Sequence, residues 1–410
     1  VYDILVIGAG LMGAAAFRQL SQAGLSAAVI GPGEPVAYAG HDGVFASHYD
    51  EGRLGWRIYK DEWWARLISA DLAAYPALQE RSGIDFYQPV GCLGILPTGQ
   101  LAELLPAIAG LVSELGIRHG YFATAADIRT GYPYVQVPDG FSAALEGAPA
   151  GLLAPRRLIG AQLSVGQKAG GLHIADEVRE LRPIPGGVEA VTRGGQSVTA
   201  KQALVAGGAF TNSFDLLPRK LALRIKSETT VLAEVSEESR TLLAGMPCLV
   251  YDLKSPQLDG IYLTPPLPYP DGKWYIKLGC DTVADEPLRT LADMQRWMAH
   301  GRDDGMGAAL FAALQAFLPT IPFVTWQEKR CLVTYTPQGY PFIDQVEERI
   351  FVATGGNGRS AACSDTLGLL AARLITGEPW PEPFEQSTFR AYFAHEDVTE
   401  VATERYHSLA

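Results

Sequence analysis

Three glycines constrain this chain more than any other feature. Gly8, Gly10 and Gly13 follow a short apolar run, residues 3–7 (DILVI), and lead into AAAFRQLSQA (14–23), which reads as a helix ending at Gly24. Residues 26–30 (SAAVI) read as a second buried strand. Strand, glycine turn, helix and strand in this span make a βαβ unit. The first glycine permits the sharp turn, the second lets backbone approach a pyrophosphate, and the third lets helix pack on strand. Leu11 and Met12 lie within the turn, next to the helix N-terminus whose unpaired N–H groups and dipole favour phosphate. The spacing therefore predicts a dinucleotide site. One partner is missing. An acid should end the second strand to hold the ribose, but the sequence there is VIGPGEP, with Gly31 in that place and Glu34 past the strand. Either backbone and neighbouring groups hold the ribose, or Glu34 reaches back.

The pattern further on predicts an amphipathic helical stretch in 56–82, strand in FYQPVGCLGIL (86–96), helix near 101–116 and again over 156–170. HIADEVREL, GVEAVTR and QALVAGGAF read as strands. From 229 to 283, TVLAEV, CLVYDL, GIYLTP and WYIKLGC predict an antiparallel sheet. Residues 290–317 read as helix and 348–353 as strand, followed by a Gly turn running into a C-terminal helix (TGGNGRSAACSDTLGLLAARLITG). The fold class expected is α/β (α+β overall): a Rossmann-like cofactor domain interleaved with an antiparallel-sheet substrate domain. The expected division gives residues 1–85, 150–220 and 325–385 to the cofactor domain, 86–149 and 221–324 to the substrate domain, and 386–410 to a tail.

A formal net charge of −12 argues against sequence-independent binding to nucleic acid or an anionic membrane. No apolar run reaches the length of a membrane helix, and the first residues lack a basic, cleavable leader. The expected protein is cytoplasmic, a monomer or homo-oligomer acting on a small molecule. Five scattered cysteines form no CxxC pair, and the histidines show no metal-binding spacing, so neither a disulfide scaffold nor a metal is expected.

Two later glycine segments, ALVAGGAFTN (203–212) and ATGGNGRSA (353–361), favour FAD over NAD, because an extended FAD is held from several sides. With the N-terminal turn they resemble the D-amino-acid-oxidase-like flavoenzyme superfamily, and within it the monomeric sarcosine oxidase group. SHYDEGR (47–53) is similar to that group's Ser-His-His-Gly-Asp-x-Arg loop. The resemblance implies that Arg53 lies over the flavin, with Ser47 beside the cofactor and His48 and Tyr49 in the places of the two histidines. WYIKLGCD (274–281) resembles the strand whose lysine promotes reaction with oxygen, which points to Lys277. RCLVTYTPQGYPFID (330–344) resembles the stretch whose cysteine bonds to the flavin, which points to Cys331. Further FAD contacts are implied at Val178, Gly207, Gly355, Gly356, Asn357 and Gly358. Each residue also has a plain reading: Arg53 pairing with Asp50 or Glu51, Lys277 a solvated edge charge, Cys331 core filler.

The resemblance implies an FAD-dependent oxidase that converts the C–N bond of a small secondary amine, or of an N-alkyl or cyclic amino acid, to an imine, reducing oxygen to hydrogen peroxide. Several substrate positions depart from the group's pattern. Its carboxylate-clamping lysine becomes Ala362, two tyrosines become Leu263 and Val333, and a histidine becomes Asp281. Tyr262, Arg57 and Arg359 are the candidates for new substrate contacts. Two alternatives stand: a dehydrogenase of the same fold using another acceptor, and a non-catalytic flavin-binding subunit.

Overall fold

The apolar run at the N-terminus becomes strand β1 (Tyr2–Ile7). Its side chains alternate between faces: Ile4 and Val6 pack in one core cluster with Phe17 and Leu20, while Leu5 and Ile7 pack in another. A strand covered on both faces is typical of a parallel sheet. The structure, a computed structural model, describes residues 1–253, 255–282, 287–302 and 304–394; residues 395–410 of the expected tail and the side chain of Asp281 lie outside the described residues.

β1 pairs in parallel with β2 (Ala27–Ile30) on one side and with strand Ser197–Val205 on the other. Strand Ile350–Thr354 extends the parallel set beyond Ser197–Val205, and Leu172–Ile174 extends it beyond β2. Among the described residues eight strands make up this sheet, drawn from three separated parts of the chain. Helix α1 (Leu11–Gln22) packs against helices Pro155–Lys168 and Ser364–Thr376. The contacts are close: a Cβ on Gly368 would lie 2.5 Å from that of Ala15. Arg18 is buried in this packing and donates to Asp365 (2.6 Å), whose carboxylate also accepts from Gln162 (2.8 Å).

The second large sheet has nine strands among the described residues. Its longest ladder is antiparallel, between Arg224–Val235 and Phe323–Tyr335, and Trp274–Thr282 flanks the former on its other edge. The sheet is not wholly antiparallel as expected. Cys248–Tyr251 pairs in parallel with Cys92–Pro97, because the long connection between them imposes no hairpin and leaves the direction free. The helix expected over 290–317 is two helices, Leu291–His300 and Met306–Phe317. Gly301 and Gly305 break it with φ of 69° and 71°. Helix α2 (Glu62–Ser82) starts where Asp61 caps the amides of Trp63 and Trp64, and ends at left-handed Gly83. A three-stranded piece, Arg53–Gly55, Gly151–Leu153 and Tyr87–Gln88, fixes the backbone of Arg53 opposite Leu153.

Candidate active site

The glycine turn is built to bring backbone to a ligand. Gly8 has φ +108°, and a Cβ there would lie 2.4 Å from the carbonyl oxygen of Ala206. One on Gly13 would lie 1.9 Å from the carbonyl oxygen of Gly8. Gly10 is different: its nearest such neighbour is the His48 ring at 3.9 Å, so its backbone faces open space. No side chain caps α1 at Gly10. The first amides of the helix therefore point into a cavity of about 380 Å³.

The cavity runs from this turn to the nine-stranded sheet. At the turn's end it is lined by Gly31, Asp176, Glu177 and Val178. Gly207 and the C-terminal loop Gly355–Gly358 line it farther along. Asn357 holds that loop in shape: in left-handed backbone (φ 48°), it accepts from the amide of Thr336 (3.0 Å) and donates to the carbonyl of Gly355 (2.6 Å).

At the sheet's end, Arg53, Tyr262, Cys331 and Arg359 reach the cavity. Arg53 donates to Asp50 and to the carbonyl of Ser47 (3.0 Å), and its Nη2 lies 3.4 Å from Cys331 Sγ. Ser47 is tied to the same strand by the amide of Leu332 (3.3 Å). Lys277 is fully buried, and its ammonium donates to Asp50 and to the carbonyl of Gly52 (2.9 Å). Tyr269 donates to the other Asp50 oxygen (2.7 Å). Burial pushes the Cys331 thiol up despite the neighbouring Arg53, and burial likewise raises Tyr262.

A sequence profile described as FAD dependent oxidoreductase, DAO, matches residues 3–374. The chain belongs to the DAO family of FAD-dependent oxidoreductases. N-methyl-L-tryptophan oxidase of Yersinia pestis (strain Pestoides F) is 24% identical over 386 residues, covering 93% of this chain and 96% of that protein. Among solved structures, NikD, an amino acid oxidase essential for nikkomycin biosynthesis, aligns with a TM-score of 0.74 at 21% identity, over 96% of this chain and 98% of its own. Glycine oxidase from Geobacillus kaustophilus aligns with a TM-score of 0.67 at 19% identity, over 95% and 98% respectively. These likenesses establish a common fold.

The DAO cofactor fits the residues present. The close packing of Gly8 and Gly13 holds the turn so that the backbone of Gly10 faces the cavity, and the cavity is lined from several chain segments. The missing ribose acid has a steric reason: a Cβ on Gly31 would lie 2.4 Å from the amide nitrogen of Ala9. Glu34 does not reach back either. It accepts from Arg156 (2.7 and 2.9 Å) and from Tyr38 (2.9 Å). The carboxylates at this end are instead Asp176 and Glu177, and Glu177 accepts from the amide of Val44 (2.9 Å).

Of the residues singled out from sequence, Gly8, Gly10, Leu11, Met12, Ser47, Arg53, Val178, Gly207, Tyr262, Cys331, Gly355, Gly356, Asn357, Gly358 and Arg359 line one cavity. Gly13 serves packing behind it. One expectation needs correction. Arg57 is not brought to the cavity; it is buried in an ion pair with Glu146, which also accepts from its amide. His48 and Tyr49 line the cavity: His48 packs on Gly10, and Tyr49 donates to the carbonyl of Pro32 (2.9 Å). Burial holds the His48 imidazole down at about 4, so it is neutral. Lys277 is no solvated edge charge, yet it sits behind the lining rather than in it. Among the substituted positions, Ala362 and Val333 line the cavity, and Leu263 lies in the apolar core of the sheet.

Sequence reasoning missed Asp50 and Tyr269 as members of the site. An acid two residues after His48 was visible as a possible partner of Arg53, but its link to Lys277 spans 227 positions. Among the described residues no group of three or more His, Cys, Asp or Glu could hold a metal, and no helix is long and apolar enough to cross a membrane.

Proposed function

We propose that this DAO-family protein uses FAD to oxidise the C–N bond of a small secondary amine, or of an N-alkyl or cyclic amino acid, to an imine, with oxygen taking the electrons and leaving as hydrogen peroxide. One observation carries the reading: the phosphate-binding turn and the Arg53–Cys331–Tyr262 cluster open into a single cavity. That the relatives are named as oxidases of N-methyl-L-tryptophan and of glycine supports the amine.

Gly8, Gly10, Leu11 and Met12 would hold the pyrophosphate, and Asp176 or Glu177 the ribose. Cys331 would carry the covalent link. The interleaved division into a cofactor domain and a substrate domain would follow the two large sheets with its boundary moved from 325 to 336, since strand Phe323–Tyr335 pairs with Arg224–Val235 in the second sheet. When bound, FAD supplies the two-electron oxidation. Arg53 holds positive charge at the cavity wall, which favours a substrate amine in its neutral form. Arg359, whose guanidinium lies over the rings of Tyr59 and Trp64 at 5.2 and 5.3 Å, would take a substrate carboxylate in place of the lysine lost at Ala362. Lys277 is the cation on the oxygen side.

A second reading has a specific observation in its favour. The ammonium of Lys277 is bound by Asp50 and does not line the cavity, which suits a dehydrogenase with another acceptor. Anaerobic bleaching of the yellow protein by N-methyl, cyclic and D-amino acids tests the amine reaction. Failure of the whole panel would leave a non-catalytic flavin subunit. Stopped-flow reoxidation in air then separates oxidase from dehydrogenase. Acid precipitation tests the link: colour in the pellet supports Cys331, and fully released flavin refutes it.

A further inference from the structure

The loop 47–53 departs from the pattern it resembles at one position that changes its charge. Where Ser-His-His-Gly-Asp-x-Arg has glycine, this chain has Asp50. That carboxylate is the junction of the sheet's end of the cavity. One oxygen accepts from both Lys277 Nζ and Arg53 Nη1, and the other accepts from the Tyr269 hydroxyl (2.7 Å) and the Glu51 amide (2.9 Å). The lysine side chain has no exposure, and those of Asp50 and Arg53 have 12% and 17%.

We propose that Asp50 is a positioning residue that restrains oxygen reactivity by neutralising Lys277 and holding it behind the cavity wall. The inference rests on the reading of Lys277 as the oxygen-side cation. Dioxygen takes two electrons from the reduced, anionic cofactor and, with the cofactor's proton and one from solvent, leaves as hydrogen peroxide. The first electron creates negative charge that a nearby cation stabilises. An ammonium in contact with a carboxylate presents a dipole, whose field falls off faster than that of a free charge. Two cations and one anion leave a single net positive charge, and Arg53 is the member that faces the cavity.

The test uses the FAD-loaded protein, photoreduced without substrate and mixed with aerated buffer, alongside a sulfite titration of the oxidised form. Sulfite affinity reports positive charge near the flavin and does not require turnover. Asp50→Asn is expected to speed reoxidation and tighten sulfite binding, each by at least about ten-fold. Asp50→Glu, which keeps the charge, should stay within about two-fold of the native protein. Adding Lys277→Met to Asp50→Asn should abolish both gains. If removing the buried carboxylate prevents folding, Asp50→Gly, which restores the glycine of the pattern, carries the same expectations. Native-like reoxidation and sulfite affinity in a folded Asp50 variant overturn the role of Asp50. A gain that persists after Lys277→Met overturns Lys277 as its target, and with it the reading of that lysine.

Discussion

The ring of Tyr262 occupies the space that a side chain on Gly279 would need. The two residues face each other across neighbouring strands, and a Cβ on Gly279 would lie 2.2 Å from the ring. Tyr262 lines the cavity, with Lys277 Nζ 5.4 Å from its ring centre. Gly279→Ala should therefore push the ring into the cavity, at a cost of about 1–3 kcal/mol in stability. Denaturant unfolding reads the cost. A raised KM in whatever amine assay is established reads the displacement, and unchanged stability would show that the ring has room to move.

Gly13→Ala should yield colourless protein. The added methyl runs first into backbone, since the carbonyl oxygen of Gly8 is 1.9 Å away. The turn that presents α1 to phosphate must then open. Flavin absorbance per mole of purified protein checks this, and native-like loading would refute the role given to the turn.

Arg359→Gln should raise KM for carboxylate-bearing amines by roughly ten- to hundred-fold, the range of a lost hydrogen bond to a charged group. Amines without a carboxylate should be affected far less. The comparison of the two substrate classes is the measurement; an equal effect on both would point to loss of the packing over Tyr59 and Trp64 instead.

Asp71 predicts a pH dependence of stability. It is fully buried and accepts from the amides of Asp365 (2.8 Å) and Thr366 (2.7 Å) and from the hydroxyl of Tyr75 (2.8 Å). Burial, then repulsion from Asp365, pushes its carboxyl from 3.8 up to about 7. Folding thus favours the protonated form, so this contribution is full below pH 3.8 and is lost as the pH rises through about 7. Its size is roughly 4 kcal/mol at most. Melting of the native protein and of Asp71→Asn from pH 4 to 8 should show the gap between them changing over that window. A constant gap would mean that Asp71 stays ionised throughout.

The cofactor half of the fold was legible because its signals are local. Gly8, Gly10 and Gly13 sit within one turn, and the alternation from β1 to β2 needs no distant partner. What lay at long range was not legible. The parallel pairing of Cys248–Tyr251 with Cys92–Pro97 depends on a connection that no pattern of alternation encodes. The break at Gly301 was readable in principle, since glycine in left-handed backbone ends helices. At the site, motif resemblance pointed to Arg53, Lys277 and Cys331. It could not supply Asp50, which occupies a glycine's place in the motif, nor reveal that Arg57 is held by Glu146 from a different strand.

The sheet that carries the glycine turn draws its parallel strands from residues 2–30, 172–205 and 350–354. A ribosome therefore releases the turn first and the strands flanking it much later. Until residue 354 has emerged, β1 and β2 lack the neighbours that complete the sheet, and their apolar faces must wait uncovered. Assembly over such distances is slow and prone to aggregation. Fragments that stop short of helix Ser364–Thr376 should collect in inclusion bodies.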